Sequence, residues 1–187
     1  MNHIGTIQLE TERLILRRFT LDDADSVFNN WASDDEVTRY LTWLTHQSVD
    51  DSRMYMEYCV QGYNNLAFYE WGIELKETQE LIGNISVVKI IDDIESLELG
   101  WVLGRKYWGY GYIAEAAKKI VDFLFNQVGA NRIYARHDVS NSNSGRVMQK
   151  AGMTYEGTLR QSARNKHGIV DMAYYSILES TWNRRSL

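Results

Sequence analysis

Proline is absent from all 187 residues, which removes one source of helix breakers and kinks. Cysteine is almost absent: Cys59 stands alone, and this excludes intramolecular disulfides and cysteine-based zinc sites. Cys59 lies in a helical pattern and reads as a small buried apolar residue rather than a nucleophile, because a free cysteine is inert unless something lowers its pKa. His3, His46, His137 and His167 show no metal-ligand spacing, so no metal site is expected. No apolar run approaches the roughly 20 residues that cross a bilayer, and no basic segment followed by an apolar block opens the chain. The expectation is a soluble, cytoplasmic protein without a membrane partner. Positive charge is in deficit, with a net charge of −5, which argues against direct nucleic-acid binding and suits a cationic substrate better. The acidic residues from Asp22 to Asp51 also serve as first-turn residues of helices.

What is present is ordinary globular composition, 44% hydrophobic and 24% charged, enough for one domain over 1–187 with peripheral tails at 1–10 and 183–187. Leu14 and Leu16 mark a first strand over 11–19. Thr20 with Asp23, Ser33 with Glu36 and Ser48 with Asp51 then read as three capping boxes opening helices. Strands follow at 66–75, 81–91 and 95–103, an antiparallel meander, then a helix over 111–128 stopped by Gly129 and a strand over 131–139. A strand, helix and strand in that order make a right-handed parallel crossover, which sets 95–103 beside 131–139. A short helix over 142–151 and a hairpin of 155–159 with 170–178 close the chain. The fold class is mixed α/β: a mostly antiparallel sheet with one parallel crossover, flanked by helices.

The crossover carries the chemistry. Between the strand ending at Leu103 and the helix starting near Ile113 lie Gly109 and Gly111. Glycines there let the backbone approach a ligand, and the first helical amides have no intrahelical acceptors, so the junction suits a phosphate or pyrophosphate. Neither the dinucleotide fingerprint nor the Gly-Lys-Ser/Thr phosphate loop is matched. A second segment, Asn141-Ser-Asn-Ser144-Gly-Arg-Val147-Met148, emerges beside it after the parallel strand.

Together the two segments resemble the GCN5-related N-acetyltransferase (GNAT) superfamily. Lys106-Tyr-Trp-Gly109-Tyr-Gly111 looks like its acyl-CoA loop, Gln/Arg-x-x-Gly-x-Gly/Ala, and Asn141-x-x-Ser144 like its Asn-x-x-Ser helix. The resemblance runs from Thr11 to Trp182. Together with the opening Thr11-Glu-Arg-Leu-Ile-Leu-Arg-Arg-Phe19, it is most similar to the branch that acetylates ribosomal-protein N-termini. Two departures stand out: Lys106 replaces the usual Gln/Arg, and Met148 replaces a tyrosine acid.

The resemblance implies an acetyl-CoA-dependent N-acetyltransferase. The amides of Gly109, Tyr110, Gly111, Tyr112 and Ile113, with Lys106, hold the pyrophosphate. Trp101, Val102 and Leu103 pair with the pantetheine arm, for which the two parallel strands must splay, and Asn141 and Ser144 line the other side. Glu98 is either the base for the amine or an ion-paired strand carboxylate; His137 is a weaker base candidate. Ser144 replaces the tyrosine as acid, caps its helix, or does both. Trp31, Tyr40, Trp43, Tyr69 and Trp71 divide between acceptor pocket and core. The acceptor is a primary amine, foremost a protein N-terminus such as that of a ribosomal protein, attacked in a ternary complex by a monomer or homodimer. The alternatives are a polyamine or aminoglycoside acceptor, or a CoA-binding sensor without turnover.

Overall fold

The computed structural model describes residues 1–182; the expected tail at 183–187 lies outside the described residues. Eight strands form one sheet: β1 (Leu9–Glu10), β2 (Leu14–Arg17), β3 (Glu70–Leu75), β4 (Leu81–Ile91), β5 (Ser96–Leu103), β6 (Arg132–Asp138), β7 (Thr154–Asn165) and β8 (Gly168–Leu178). Their order is β1-β2-β3-β4-β5-β6-β8-β7. Every neighbouring pair is antiparallel except β5 and β6, so the meander and the crossover stand as the sequence suggests. Helices α1 (Ala24–Val27), α2 (Asp35–Thr38) and α3 (Val49–Gly62) precede β3; α4 (Tyr112–Phe123), α5 (Ser142–Lys150) and α6 (Glu179–Trp182) follow β5, β6 and β8.

Each sheet face carries its own core. The face under α4 buries Leu97, Leu99, Ile133, Tyr69 and Trp71 against Ile113, Ala116, Ala117 and Ile120, the last four spaced as one helix stripe. The opposite face packs α1 and α3 through Val27, Trp31, Met56 and Cys59 against Phe19, Leu81 and Val102. Burying each large apolar side chain contributes about 1.5–3 kcal/mol.

Several boundaries move. Residues 1–10 are tied to the domain: Asn2 N–H donates to the Val128 carbonyl at 2.8 Å, Trp71 Nε1–H donates to the Ile7 carbonyl at 2.7 Å, and Leu9 is buried. The first strand shrinks to Leu14–Arg17 because the Thr11 hydroxyl accepts from Leu14 N–H at 2.9 Å, turning the chain instead of extending it. Residues 65–68 likewise turn before β3, with Phe68 N–H donating to the Asn65 carbonyl. The expected helix 111–128 loses its regular pitch at Phe123, continues through a wider turn at Leu124–Val128 and stops at Gly129, whose φ is 79°. The closing hairpin is longer than expected because β7, at the sheet edge, is exposed on both faces and so has no apolar alternation to read.

The pairing that positions the site is short. β5 and β6 are in register only at Ser96 with Arg132, Leu97 with Ile133 and Glu98 with Tyr134. β5 then runs on to Leu103 with β4 on one side and a gap on the other. The cause sits in β4, where a register shift between Val87 and Lys89 inserts Val88 opposite Glu98 and Leu99. A bulge bends its strand and increases local twist. Gly100 is required beside it, since a Cβ there would lie 2.8 Å from Val88 Cγ1.

Candidate active site

A cavity of about 1160 Å³ fills the wedge between β5 and β6 and continues under α1 to α3. One end is the glycine loop. Gly109 and Gly111 have φ of 89° and 84°, and a Cβ at Gly109 would meet nothing within 4 Å, so that glycine is required by dihedral angle and not by crowding. Trp108 Nε1–H donates to the Leu103 carbonyl at 2.8 Å, pinning the loop to the end of β5. Gly111 is the N-cap of α4, whose first amides lack intrahelical acceptors and carry the positive end of the helix dipole.

Glu115 places a carboxylate in that same first turn, which would repel an anion. It is neutralised from β2: Arg13 Nη2 lies 2.6 Å from Glu115 Oε2, the Thr11 hydroxyl donates to Oε1, and the paired carboxylate is held below its usual range. Arg13 also donates to the Tyr110 carbonyl at 3.2 Å and lies 4.5 Å over the Tyr112 ring. The loop is therefore braced in a shape that presents amides.

Of the residues given a catalytic or cofactor-binding role in the sequence, Glu98, Trp101, Val102, Leu103, Gly109, Gly111, Tyr112, Ile113, Asn141 and Ser144 line this cavity. Two do not. Lys106 turns to Glu80, Nζ to Oε1 at 3.3 Å, because the acidic turn between β3 and β4 offers it a partner. The Tyr110 ring points outward and stacks on Tyr112 at 5.7 Å, leaving only its backbone at the loop. Asn141 caps α5, its Oδ1 accepting from Ser144 N–H at 3.4 Å while its Nδ2 donates to Ser144 Oγ at 3.1 Å. Met148 is buried in the core, one residue past the cavity-lining Val147.

Glu98 is buried, with its carboxylate fully engaged: Arg136 Nε–H donates to Oε1 at 2.7 Å and the Tyr134 hydroxyl to Oε2 at 2.9 Å. It is the ion-paired strand carboxylate. Arg136 was not singled out in the sequence. His137 is packed under α5, Nδ1–H donating to the Asp138 carbonyl at 2.7 Å. A Cβ on Gly145 would lie 2.8 Å from His137 Nε2, so the ring faces the helix backbone. Cys59 is buried and its thiol is pushed up by burial and by Glu70, which excludes it as a nucleophile.

The far end of the cavity is aromatic and polar. Trp31, Tyr40 and Trp43 line it, whereas Tyr69 and Trp71 stack on each other at 5.8 Å inside the core. His46 Nδ1 is bonded to the Ser52 hydroxyl at 2.7 Å and burial lowers its pKa. Glu70 of β3 also reaches this chamber. Burial pushes its carboxyl up to about 8, although Asn84 and the Tyr55 and Ser86 hydroxyls favour the ionised form. Sequence reading passed over it, and the available signal was a single charge between Tyr69 and Trp71 in an otherwise buried strand.

A glycine loop at a helix N-terminus, a half-open parallel strand pair and a chamber lined by aromatic and carboxylate side chains share one cavity, an arrangement that suits an acyl-CoA-dependent transferase. The amides of the glycine loop fit a diphosphate and the unpaired edge of β5 fits an extended arm. The family description of the acetyltransferase (GNAT) domain matches residues 13–154, and the chain belongs to that family. It is 33% identical over 175 residues to the uncharacterized N-acetyltransferase p20 of Bacillus licheniformis, covering 91% of this chain and 96% of that protein. Among solved structures it is similar to a GNAT-family acetyltransferase of Bacillus anthracis, at 29% identity and TM-score 0.82 over 93% of this chain and 99% of that one. A putative ribosomal-protein-serine acetyltransferase of Vibrio cholerae shares the fold at 20% identity and TM-score 0.81, over 95% and 99% of the two chains.

Proposed function

We propose that this N-acetyltransferase acetylates the α-amino group of a protein or peptide, such as a ribosomal-protein N-terminus, in the cytoplasm. The observation that carries the reading is the single cavity joining the glycine-loop cradle to a chamber walled by Tyr40, Trp43, Glu36 and Glu70. Carboxylates there suit an ammonium, and aromatic walls suit the first side chain of a peptide. An unperturbed α-amine titrates near 8, so its deprotonation is far less costly than that of a lysine or polyamine amine near 10. The amine attacks the thioester directly, since the one cysteine is buried and its thiol is pushed up.

Gly109 to Ile113 would hold the diphosphate, Trp101 to Leu103 would pair with the pantetheine arm, and Asn141 and Ser144 would close the other side. Ser144 supplies the proton to the departing thiolate, as the side chain at 148 cannot. A peptide panel differing in the first residue, assayed for free-thiol release from acetyl-CoA, tests the reading. Turnover is expected with free N-termini and not with blocked ones. Turnover with polyamines or aminoglycosides alone would transfer the assignment to small amines. Cofactor binding with no acceptor-dependent thiol release would make the protein a sensor.

A further inference from the structure

Within the acetyltransferase reading one proton has no receiver. The residue singled out for it, Glu98, has both carboxylate oxygens occupied, Oε1 by Arg136 Nε–H at 2.7 Å and Oε2 by the Tyr134 hydroxyl at 2.9 Å. Other inward carboxylates are paired likewise: Asp23 with Arg17 at 2.9 Å and Glu115 with Arg13 at 2.6 Å. Two carboxyls in the cavity wall have no ion pair among the described residues: Asp138, whose oxygens accept from Ser140 N–H at 2.9 Å and Asn165 Nδ2–H at 2.8 Å, and Glu70, which faces the chamber lined by Tyr55 and Asn84. Asn84 Nδ2–H donates to Glu70 Oε1 at 2.6 Å, and no ion pair with Lys, Arg or His is present for Glu70 among the described residues.

Its placement is set by the sheet. Glu70 pairs in register with Ser86, and Ser86 with Gly100, so the three stand in a row leading from β3 to the part of β5 that has left β6. Gly100 presents no side chain, and nothing from β5 itself stands between the Glu70 chamber and the open edge. When ionised, a buried carboxyl in that position has no resident cation to compensate its charge.

We propose that Glu70 is the residue that binds the acceptor's ammonium group and takes its proton. The ammonium N–H bond breaks, Glu70 becomes the neutral acid, and the freed nitrogen forms its bond to the thioester carbonyl carbon. The carbon–sulfur bond then breaks, Ser144 gives its hydroxyl proton to the thiolate and takes the nitrogen's second proton in its place, and Glu70 returns its proton to water through the cavity. Buried away from cations, the group sits at about 8, matched to an α-amine. The titratable and polar groups facing it are Tyr55 and Cys59 from α3, Tyr63 beyond it and Asn84 and Ser86 from β4. None is a cation, and His46 across the chamber is kept toward its neutral form.

The test uses the full chain and its Glu70→Gln variant. With the amine that best supports thiol release, kcat at saturating amine should rise with pH in the wild type, and Glu70→Gln should abolish that limb and cut kcat by about 100-fold or more. The KM for acetyl-CoA should stay within about twofold, which separates the effect from misfolding. A second readout needs no turnover. In ¹³C-labelled protein, the Glu70 carboxyl signal, identified by its loss in the variant, should titrate well above the carboxylate range. Its midpoint should fall when methylammonium is added without acetyl-CoA. A wild-type pH profile and rate in Glu70→Gln, an ordinary carboxylate midpoint, or a midpoint indifferent to methylammonium would each overturn the assignment. Absence of thiol release with every amine, combined with the methylammonium-sensitive midpoint, would sink the transferase reading and leave the ammonium site standing.

Discussion

Gly111 carries a φ of 84° as the N-cap of α4. A β-branched residue there costs of order 1–3 kcal/mol in backbone strain, and the loop relieves it by giving up the shape that presents its amides. Gly111→Val is therefore expected to raise the dissociation constant for acetyl-CoA at least about tenfold, by calorimetry; unchanged affinity would remove the loop from the cradle. Glu70 gives a residue-scale prediction about stability as well. Its folded pKa, about 8, lies above the ordinary glutamate value of 4.5, so between those values the native state binds more protons than the unfolded one. Its stabilising contribution is present below the unfolded pKa and lost as pH rises through 8. Glu70→Gln should accordingly flatten the fall in Tm over that window and be the more stable protein at its alkaline end. A steeper fall in the variant would mean that the carboxylate is stabilised in the fold. Glu98 shows why residue roles were only partly legible: its place in the crossover strand could be read, but the partner that neutralises it, Arg136, lies 38 residues further on. Met148 is the same case, since only packing shows that its side chain belongs to the core.

Elements were legible where a local hydrogen bond decides them. Asp51 accepts from Ser48 N–H at 3.0 Å and Asp23 from Thr20 N–H at 2.8 Å, as two of the capping boxes require. The third failed because two capping residues stand in tandem: Asp34 accepts from Glu36 N–H at 2.9 Å, and the Ser33 hydroxyl donates back to the Phe28 carbonyl. Contacts between distant elements were not legible, and the clasp of β2 on α4 is the one that bears on function. Arg13 both neutralises Glu115 and holds the Tyr110 carbonyl. Arg13→Met would leave a carboxylate beside the diphosphate and loosen the loop. The expected result is an acetyl-CoA KM raised about three- to tenfold with kcat within about twofold, roughly 1 kcal/mol of lost binding. Adding Glu115→Gln to Arg13→Met should recover part of the loss; no recovery would mean that Arg13 acts only by bracing the loop.

At the scale of the molecule, the meander and the parallel crossover were legible because consecutive strands pair and the crossover has a fixed hand, whereas the places of β2 beside β3 and of β8 beside β6 were not. How the two ends of the sheet meet across the cleft was not legible either, because the link is made by side chains that no periodicity relates. The tip of the β7–β8 hairpin reaches the segment after α2: Lys166 Nζ donates to the Thr38 hydroxyl at 2.9 Å and lies 3.4 Å from that of Thr45. Thr45 in turn donates to Asp35 at 2.6 Å, and Asn165 ties the hairpin to Asp138 at 2.8 Å. These bonds join two rims of the cavity, yet apart from the buried Thr38 and Asp138 they lie near water, where such contacts contribute about 0–1 kcal/mol. Lys166→Ala should therefore leave the midpoint of chemical unfolding almost unchanged while exposing the hairpin tip and the segment around Thr45. Hydrogen exchange measured segment by segment would show faster exchange at 160–168 and 38–46 and no change in the amides of α4, because local opening need not involve the global transition. Uniform acceleration across the chain would instead mean that the bridge supports the whole fold, and exchange identical to wild type would mean that the two rims hold their positions without it.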